Sequence, residues 1–270
     1  MTQPQSTNSL PTSETPQSEP CETVDSICQQ HGPFKARVFR WDEAMKPMVT
    51  GCPACNAERR AAEDAQRIRQ EQRDRQLEVS RLRSAANIPA RFADRSFSGY
   101  VAKVPGQKIA MGVCKAFADA WPDKLRSGAS LVLTGGPGTG KTHLACAVAN
   151  DVMQNHLASV AFGTVATLLR HIKDSYRKDS TKSEQDAIND LVRPQLLIVD
   201  EVGVQVGSEH EKLLMFEVLN SRYQELRPTI LLSNLSAGEL ESFLGQRVMD
   251  RYRECGSVLA FDWQSFRGAA

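Results

Sequence analysis

The sequence predicts an α/β fold, with a mostly parallel five-stranded sheet covered by helices on both faces. Three observations predict it. Five short, continuously apolar runs (130–134, 159–163, 195–199, 229–233 and 257–261) recur within residues 87–270. Helical patterns near 107–125, 141–154, 165–178 and 210–226 lie between them. The first run leads straight into the glycine-rich octapeptide GGPGTGKT, which opens the next helical pattern. Short apolar strands alternating with helices are what a parallel sheet buried on both faces requires.

Composition agrees with a globular chain. Of 270 residues, 41% are hydrophobic and 24% charged, enough for a substantial core. The 33 basic and 32 acidic residues leave a net charge of +1, which excludes a strongly basic coat protein or an acidic tail protein. No run approaches 18 apolar residues, and no basic start precedes an apolar stretch. The sequence therefore predicts a cytoplasmic protein with no membrane span or secretory signal.

Residues 1–20 read as a disordered tail, since fifteen of the twenty are Pro, Ser, Thr or Gln. Residues 21–55 read as a zinc-binding module. Four of the seven cysteines fall there, and Cys28-x2-His31 and Cys52-x2-Cys55 make two chelating pairs with 20 residues between them. Thiolates and an imidazole converging tetrahedrally suit Zn2+. Val38, Phe39 and Trp41 offer a small apolar patch, but so short a segment needs the metal to fold. Cys21 is a spare. The bland alternative is a set of free thiols in a disordered leader.

Residues 56–86 read as a charged linker helix. Eight Arg and six acidic residues lie between Glu58 and Arg83. Arg59, Glu63, Arg67, Glu71 and Arg75 alternate in sign at i,i+4, which supports a solvated helix by about 0.2–0.5 kcal/mol per pair. A spacer is the simpler reading, and a partner or nucleic-acid surface the sharper one. Asn87-Ile88-Pro89 ends the helix.

Gly135, Gly136, Pro137, Gly138, Thr139, Gly140, Lys141 and Thr142 match G-x-x-x-x-G-K-[ST] in full, between a strand and a helix. Backbone N–H groups of such a loop turn inward around phosphates, Lys141 reaches the β- and γ-phosphates, and the Thr142 hydroxyl ligates Mg2+. The strand at 195–199 ends in Asp200-Glu201. Asp200 suits Mg2+, and Glu201 suits polarisation of a water attacking the γ-phosphate of ATP.

GGPGTGKTHLA, LLIVDE, LLSNL and RVMDRYR, in that order, resemble the ATPase domain of DnaC-type replicative helicase loaders. They also resemble the IstB-type helper ATPases of transposition. Both are AAA+ proteins, and the likeness covers about residues 87–267. The resemblance implies a three-layer AAA+ core over 87–270 with no C-terminal helical lid, since nine residues follow the last strand. It also implies roles. Asn234 is the sensor 1 residue, Arg251 an arginine finger acting on a neighbouring subunit, and Arg267 the sensor 2 arginine. Arg247 and Arg253 stay open as fingers. Arg170, Lys173, Arg177, Lys178 and Lys182 lie where these proteins carry an extra helical element facing single-stranded DNA, and an ordinary solvated face is the alternative.

The expected function is ATP-dependent loading of a hexameric replicative helicase onto single-stranded DNA by a ring or spiral homo-oligomer. The alternative is a transposition helper acting with a transposase on duplex DNA. A small-molecule kinase is disfavoured by Asn234 and the RVMDR motif. The zinc-bearing head departs from DnaC itself and resembles DnaC-like ATPases of phages and prophages. Its partner, protein or DNA, is open at this point.

Overall fold

The computed structural model describes residues 22–39, 46–204 and 208–266. They form two compact units, one ending at Asp74 and the other starting at Arg75. The tail at 1–20, Cys21, Trp41 and Arg267 lie outside the described residues.

In the first unit, β1 (Glu22–Cys28) and β2 (Gly32–Phe39) form an antiparallel hairpin. Gly32 has φ +79°, the left-handed geometry that the tight turn needs. β3 (Met48–Val49) adds to β2 through Val38 and Val49. Ala36 and Val38 are buried, while Asp25, Lys35 and Arg37 on the alternate positions stay exposed. This sheet is absent from the sequence reading, because charges occupy its outer face and no long apolar run marks it.

α1 (Pro53–Ala85) begins with proline at its first position, where the missing N–H costs nothing. The expected chain of i,i+4 pairs forms only in part. Arg67 meets Glu71 at 3.8 Å and Asp64 at 2.9 Å. Arg75 instead donates to the carbonyls of Gln154 and Asn155, both at 2.9 Å. Val79 is buried and Leu82 packs on the core of the second unit, so the last turns of α1 are structural and not merely a solvated spacer.

After α1 come a 3-10 turn (Ala90–Phe92), α2 (Pro105–Asp119) and α3 (Trp121–Ser127). The single helix expected at 107–125 is thus two, broken at Ala120 just before Pro122. The remaining elements are β4 (Ser130–Thr134), α4 (Lys141–His156), β5 (Val160–Thr164), α5 (Val165–Asp174) and α6 (Glu184–Val192). There follow β6 (Leu196–Val202), α7 (Glu209–Gln224), β7 (Thr229–Ser233), α8 (Ala237–Leu244), α9 (Gln246–Glu254) and β8 (Gly256–Ala260). The sheet order is β5-β6-β7-β4-β8, parallel throughout.

Alternate residues of each strand serve opposite layers. Leu131, Leu133, Ile198 and Ile230 face a core with Phe117, Trp121, Leu144 and Met153. Val132, Leu197, Val199 and Leu231 face a second core with Ile172, Ile188, Leu219 and Met249. The result is the three-layer α/β core that the apolar runs imply. α5 stops at Asp174, four residues before the expected end. α6, α8 and α9 are too short for periodicity to reveal. Ser183 and Ser236 mark two of these starts, each closing a capping box with Asp186 or Glu239.

Candidate functional site

The phosphate loop spans Gly135–Gly140 between β4 and α4, with both flanks held in place. Gly135 has φ +125°, and a Cβ there would lie 2.3 Å from the carbonyl oxygen of Phe261. Gly140 has φ +99°, and a Cβ would meet the Tyr100 ring at 2.8 Å. Thr139 is buried and its hydroxyl donates to the Gly136 carbonyl at 2.8 Å. Lys141 as a residue is 6% exposed, and its ammonium donates to the carbonyls of Gly135 (2.5 Å) and Gly136 (2.8 Å) and to Asn234 Oδ1 (3.1 Å). A buried cation at a helix N-terminus inside a glycine-lined loop suits a phosphate group.

β6 runs on to Val202, three residues past its expected end, and carries a bulge against β7 between Val199 and Val202. The bulge places Asp200 and Glu201 at the cleft. Glu201 adopts φ +59°, an uncommon conformation for a residue with a side chain, and one that clusters at functional sites. The Thr142 hydroxyl donates to Asp200 Oδ2 at 3.0 Å, and the Glu201 N–H donates to Asp200 Oδ1 at 2.7 Å. Hydroxyl and carboxylate oxygens side by side suit Mg2+.

These groups line one cleft of about 420 Å³, which contains Pro137 to His143, Asp200, Glu201 and Asn234. Arg91, Phe92, Arg95 and Phe266 line it too, and the sequence reading missed all four. A basic–aromatic run just after the helix-ending Pro89 was the available signal for Arg91, Phe92 and Arg95, and Phe266 carried none. Phe266 is placed by its own N–H, which donates to the Gly138 carbonyl at 3.0 Å. The Trp263 indole N–H reaches the Thr139 carbonyl at 2.9 Å. The chain after β8 thus straps onto the phosphate loop.

On α9, Val248, Met249 and Tyr252 are buried, Arg247 and Arg253 are exposed and Arg251 is half-buried. Arg251 hydrogen-bonds Asn220 Oδ1 and lies over the Tyr223 ring, 5.2 Å from its centroid. Tyr223 is itself held by Glu254 at 3.1 Å. Arg253 is occupied by Glu241 (2.6 Å) and Asp250 (3.2 Å). Arg247 is exposed one turn before Arg251, in the same open concavity. In the basic stretch, Lys173 pairs with Glu211, Arg177 with Asp179 (3.3 Å) and Lys182 with Asp190 (2.5 Å). Arg170 and Lys178 are exposed.

In the first unit, Cys28 ends β1, His31 sits in the hairpin turn, Cys52 precedes α1 and Cys55 lies in its first turn. One donor atom of each lies within 4.8 Å of the other three. Backbone N–H groups of Gln30 and His31 pull the Cys28 thiol down to about 6, while its hydrogen bond to Cys28 pushes Cys55 up to about 11. His31 rises to about 9 through Cys28 and Glu58. Three thiols and an imidazole sharing protons at this spacing form a donor set that a divalent zinc ion fits, displacing those protons. Among the described residues, no helix is long and apolar enough to cross a membrane.

Residues 66–256 match the family described as IstB-like ATP binding protein. The chain is 34% identical over 198 residues to the replicative helicase loader DnaC of Escherichia coli K12, covering 73% of this chain and 79% of that protein. It is 31% identical to the uncharacterized protein YdaV of the same organism, covering 72% and 76%. A crystal structure of the DnaC helicase loader superposes with TM-score 0.58 at 22% identity, covering 64% of this chain and 99% of that one. AMPPCP-bound DnaA from Aquifex aeolicus gives 0.51 at 20%, covering 62% and 49%. With a phosphate loop, an acidic bulge and a polar strand end in one cleft, and a match over most of its length, the chain belongs to the IstB-like ATP-binding family of AAA+ proteins, alongside the DnaC loaders.

Proposed function

We propose that this protein is an ATP-hydrolysing loader of a hexameric replicative DNA helicase onto single-stranded DNA. One observation carries the reading. Lys141, Thr142, Asp200, Glu201 and Asn234 converge on one cleft in a chain 34% identical to DnaC across 79% of DnaC's length.

In this reading the loop Gly135–Gly140 and Lys141 bind the phosphates of ATP. Thr142 and Asp200 hold Mg2+, which when bound neutralises phosphate charge. Glu201 accepts a proton from the attacking water, and Asn234 orients that water while fixing Lys141. Arg251 reaches the γ-phosphate bound by a neighbouring subunit, with Arg247 beside it. Its stack on Tyr223 holds the guanidinium ready. Arg253, already bound to two carboxylates, is the weakest candidate of the three. Arg267 acts as the second sensor. The active site is complete only between subunits, which calls for a head-to-tail ring or spiral. Arg170 and Lys178, together with the paired cations near them, track single-stranded DNA phosphates. Residues 21–55 bind zinc through Cys28, His31, Cys52 and Cys55 and recognise the helicase, and 56–86 link them to the ATPase domain.

The test is recovery of partners by tagged Glu201→Gln protein with ATP and Mg2+ from its native cells. Loss of the general base slows hydrolysis by about 10²–10⁴-fold and holds the assembled state. A hexameric helicase retained by the full chain, and lost when residues 1–74 are removed, is the expected result. A transposase without helicase would sink the loader reading in favour of the transposition helper.

A further inference from the structure

The metal centre shows more than which four side chains meet. The His31 ring is turned so that Nδ1 faces the thiols, 3.3 Å from Cys55 Sγ and 3.8 Å from both Cys28 and Cys52 Sγ. Nε2 points the other way and lies 3.0 Å from Glu58 Oε1. Glu58 sits on α1 one turn beyond Cys55, so a single helix supplies one thiol donor and the carboxylate that holds another donor in place. His31 itself sits in a hairpin turn, where an imidazole can rotate to present either nitrogen.

We propose that Glu58 is a positioning residue of the zinc centre. Its carboxylate accepts the Nε2–H of His31, fixing Nδ1 as the ligating atom. The proposal rests on the zinc reading above. The physical reason is general. A neutral imidazole that ligates through one nitrogen carries its proton on the other, and an acceptor for that proton fixes both tautomer and ring orientation while making the ligating nitrogen more basic. Were the pair only a surface ion pair, it would have little consequence, because exposed pairs are individually weak. Here the carboxylate faces the back of a donor whose front faces three thiols, and this makes metal affinity the sensitive quantity. The arrangement also joins the hairpin to the start of α1 at a second point beside the metal.

The experiment measures zinc affinity of the full-length protein by competition with a chromogenic chelator, with Co2+ absorption reporting the donor set. Glu58→Ala should weaken zinc about 10–100-fold. Glu58→Gln, whose amide oxygen accepts the same hydrogen bond, should retain most of the affinity. Glu63→Ala, the loss of another exposed α1 carboxylate, should change nothing. Unaltered helicity by circular dichroism will show that Glu58→Ala is folded. Long-range 1H–15N spectra of histidine-labelled, zinc-loaded protein should show His31 protonated at Nε2 and ligated through Nδ1. Wild-type affinity in Glu58→Ala, or ligation through Nε2, would overturn the role of Glu58 and leave the zinc site standing. A wild-type protein that takes up no stoichiometric zinc would overturn both.

Discussion

Arg222 is fully buried, in the last turn of α7. Its guanidinium donates to the carbonyls of Leu191, Val192 and Pro194 at 2.9 Å and of Pro228 at 2.6 Å, and to Thr229 Oγ1 at 2.9 Å. Burial lowers its pKa, and this ring of acceptors offsets that cost by stabilising the charged form. One side chain thereby pins the end of α6 and the segments entering β6 and β7. Arg222→Met should cost about 3–5 kcal/mol, because several buried carbonyls lose a charged donor at once. Urea denaturation of the purified protein measures it. Arg222→Lys, with a point charge in place of a planar fork, should recover only part of the loss. At this scale, sequence reading identified Lys141, Thr142, Asp200 and Glu201 as a set, because the octapeptide and the acidic strand end carry their own spacing. Arg222 looked like any polar residue of a helix. Nothing local marks it as buried, because three of its acceptors, the carbonyls of Leu191, Val192 and Pro194, lie about 30 residues away.

Among the elements, the five apolar runs correspond to β4–β8 within one residue at their starts, since strands buried on both faces leave a continuous apolar trace. The ends were less legible. β6 continues through Asp200 and Glu201 because a bulge and a positive φ carry the polar pair onto the strand. The edge strand β8 depends on a different detail. Gly256 pairs with Ser130, and a Cβ there would fall 1.8 Å from the Ser130 carbonyl oxygen. Gly256→Ala should therefore push β8 from β4 and cost about 1–3 kcal/mol, the usual range for overpacking. In a chain of this size, that is a melting temperature lower by roughly 2–4 °C per kcal/mol. An unchanged melting temperature would show that β8 shifts without penalty. Because β8 leads into the strap over the phosphate loop, nucleotide affinity should fall as well.

For the whole molecule, the question is whether one chain can complete its own active site. The cleft holds Lys141, Glu201 and Asn234, whereas Arg251 is stacked on Tyr223 and held by Asn220 on α7. Arg251→Ala should bind ATP nearly normally and lose on the order of 10³-fold in hydrolysis, the scale of an arginine finger. Mixed with Lys141→Ala, it should regain a fraction of that activity, since a mixed interface can pair one intact loop with one intact finger. Confirmed co-assembly without recovery would place the finger elsewhere, with Arg247 the next to test.

By itself, the sequence determined the α/β class, the strands, the glycine-rich loop, the acidic pair and the four Cys and His positions that cluster. Each of these is written in residues close together or in a fixed order, so local spacing suffices. Only the tertiary structure decided that Phe92 and Phe266 share a cleft with Lys141, that Tyr223 supports Arg251, and that Glu58 stands behind His31. Those neighbours are set by how strands and helices pack across long stretches of chain. Side-chain direction at such contacts depends on backbone register and rotamer, which no short window of sequence specifies.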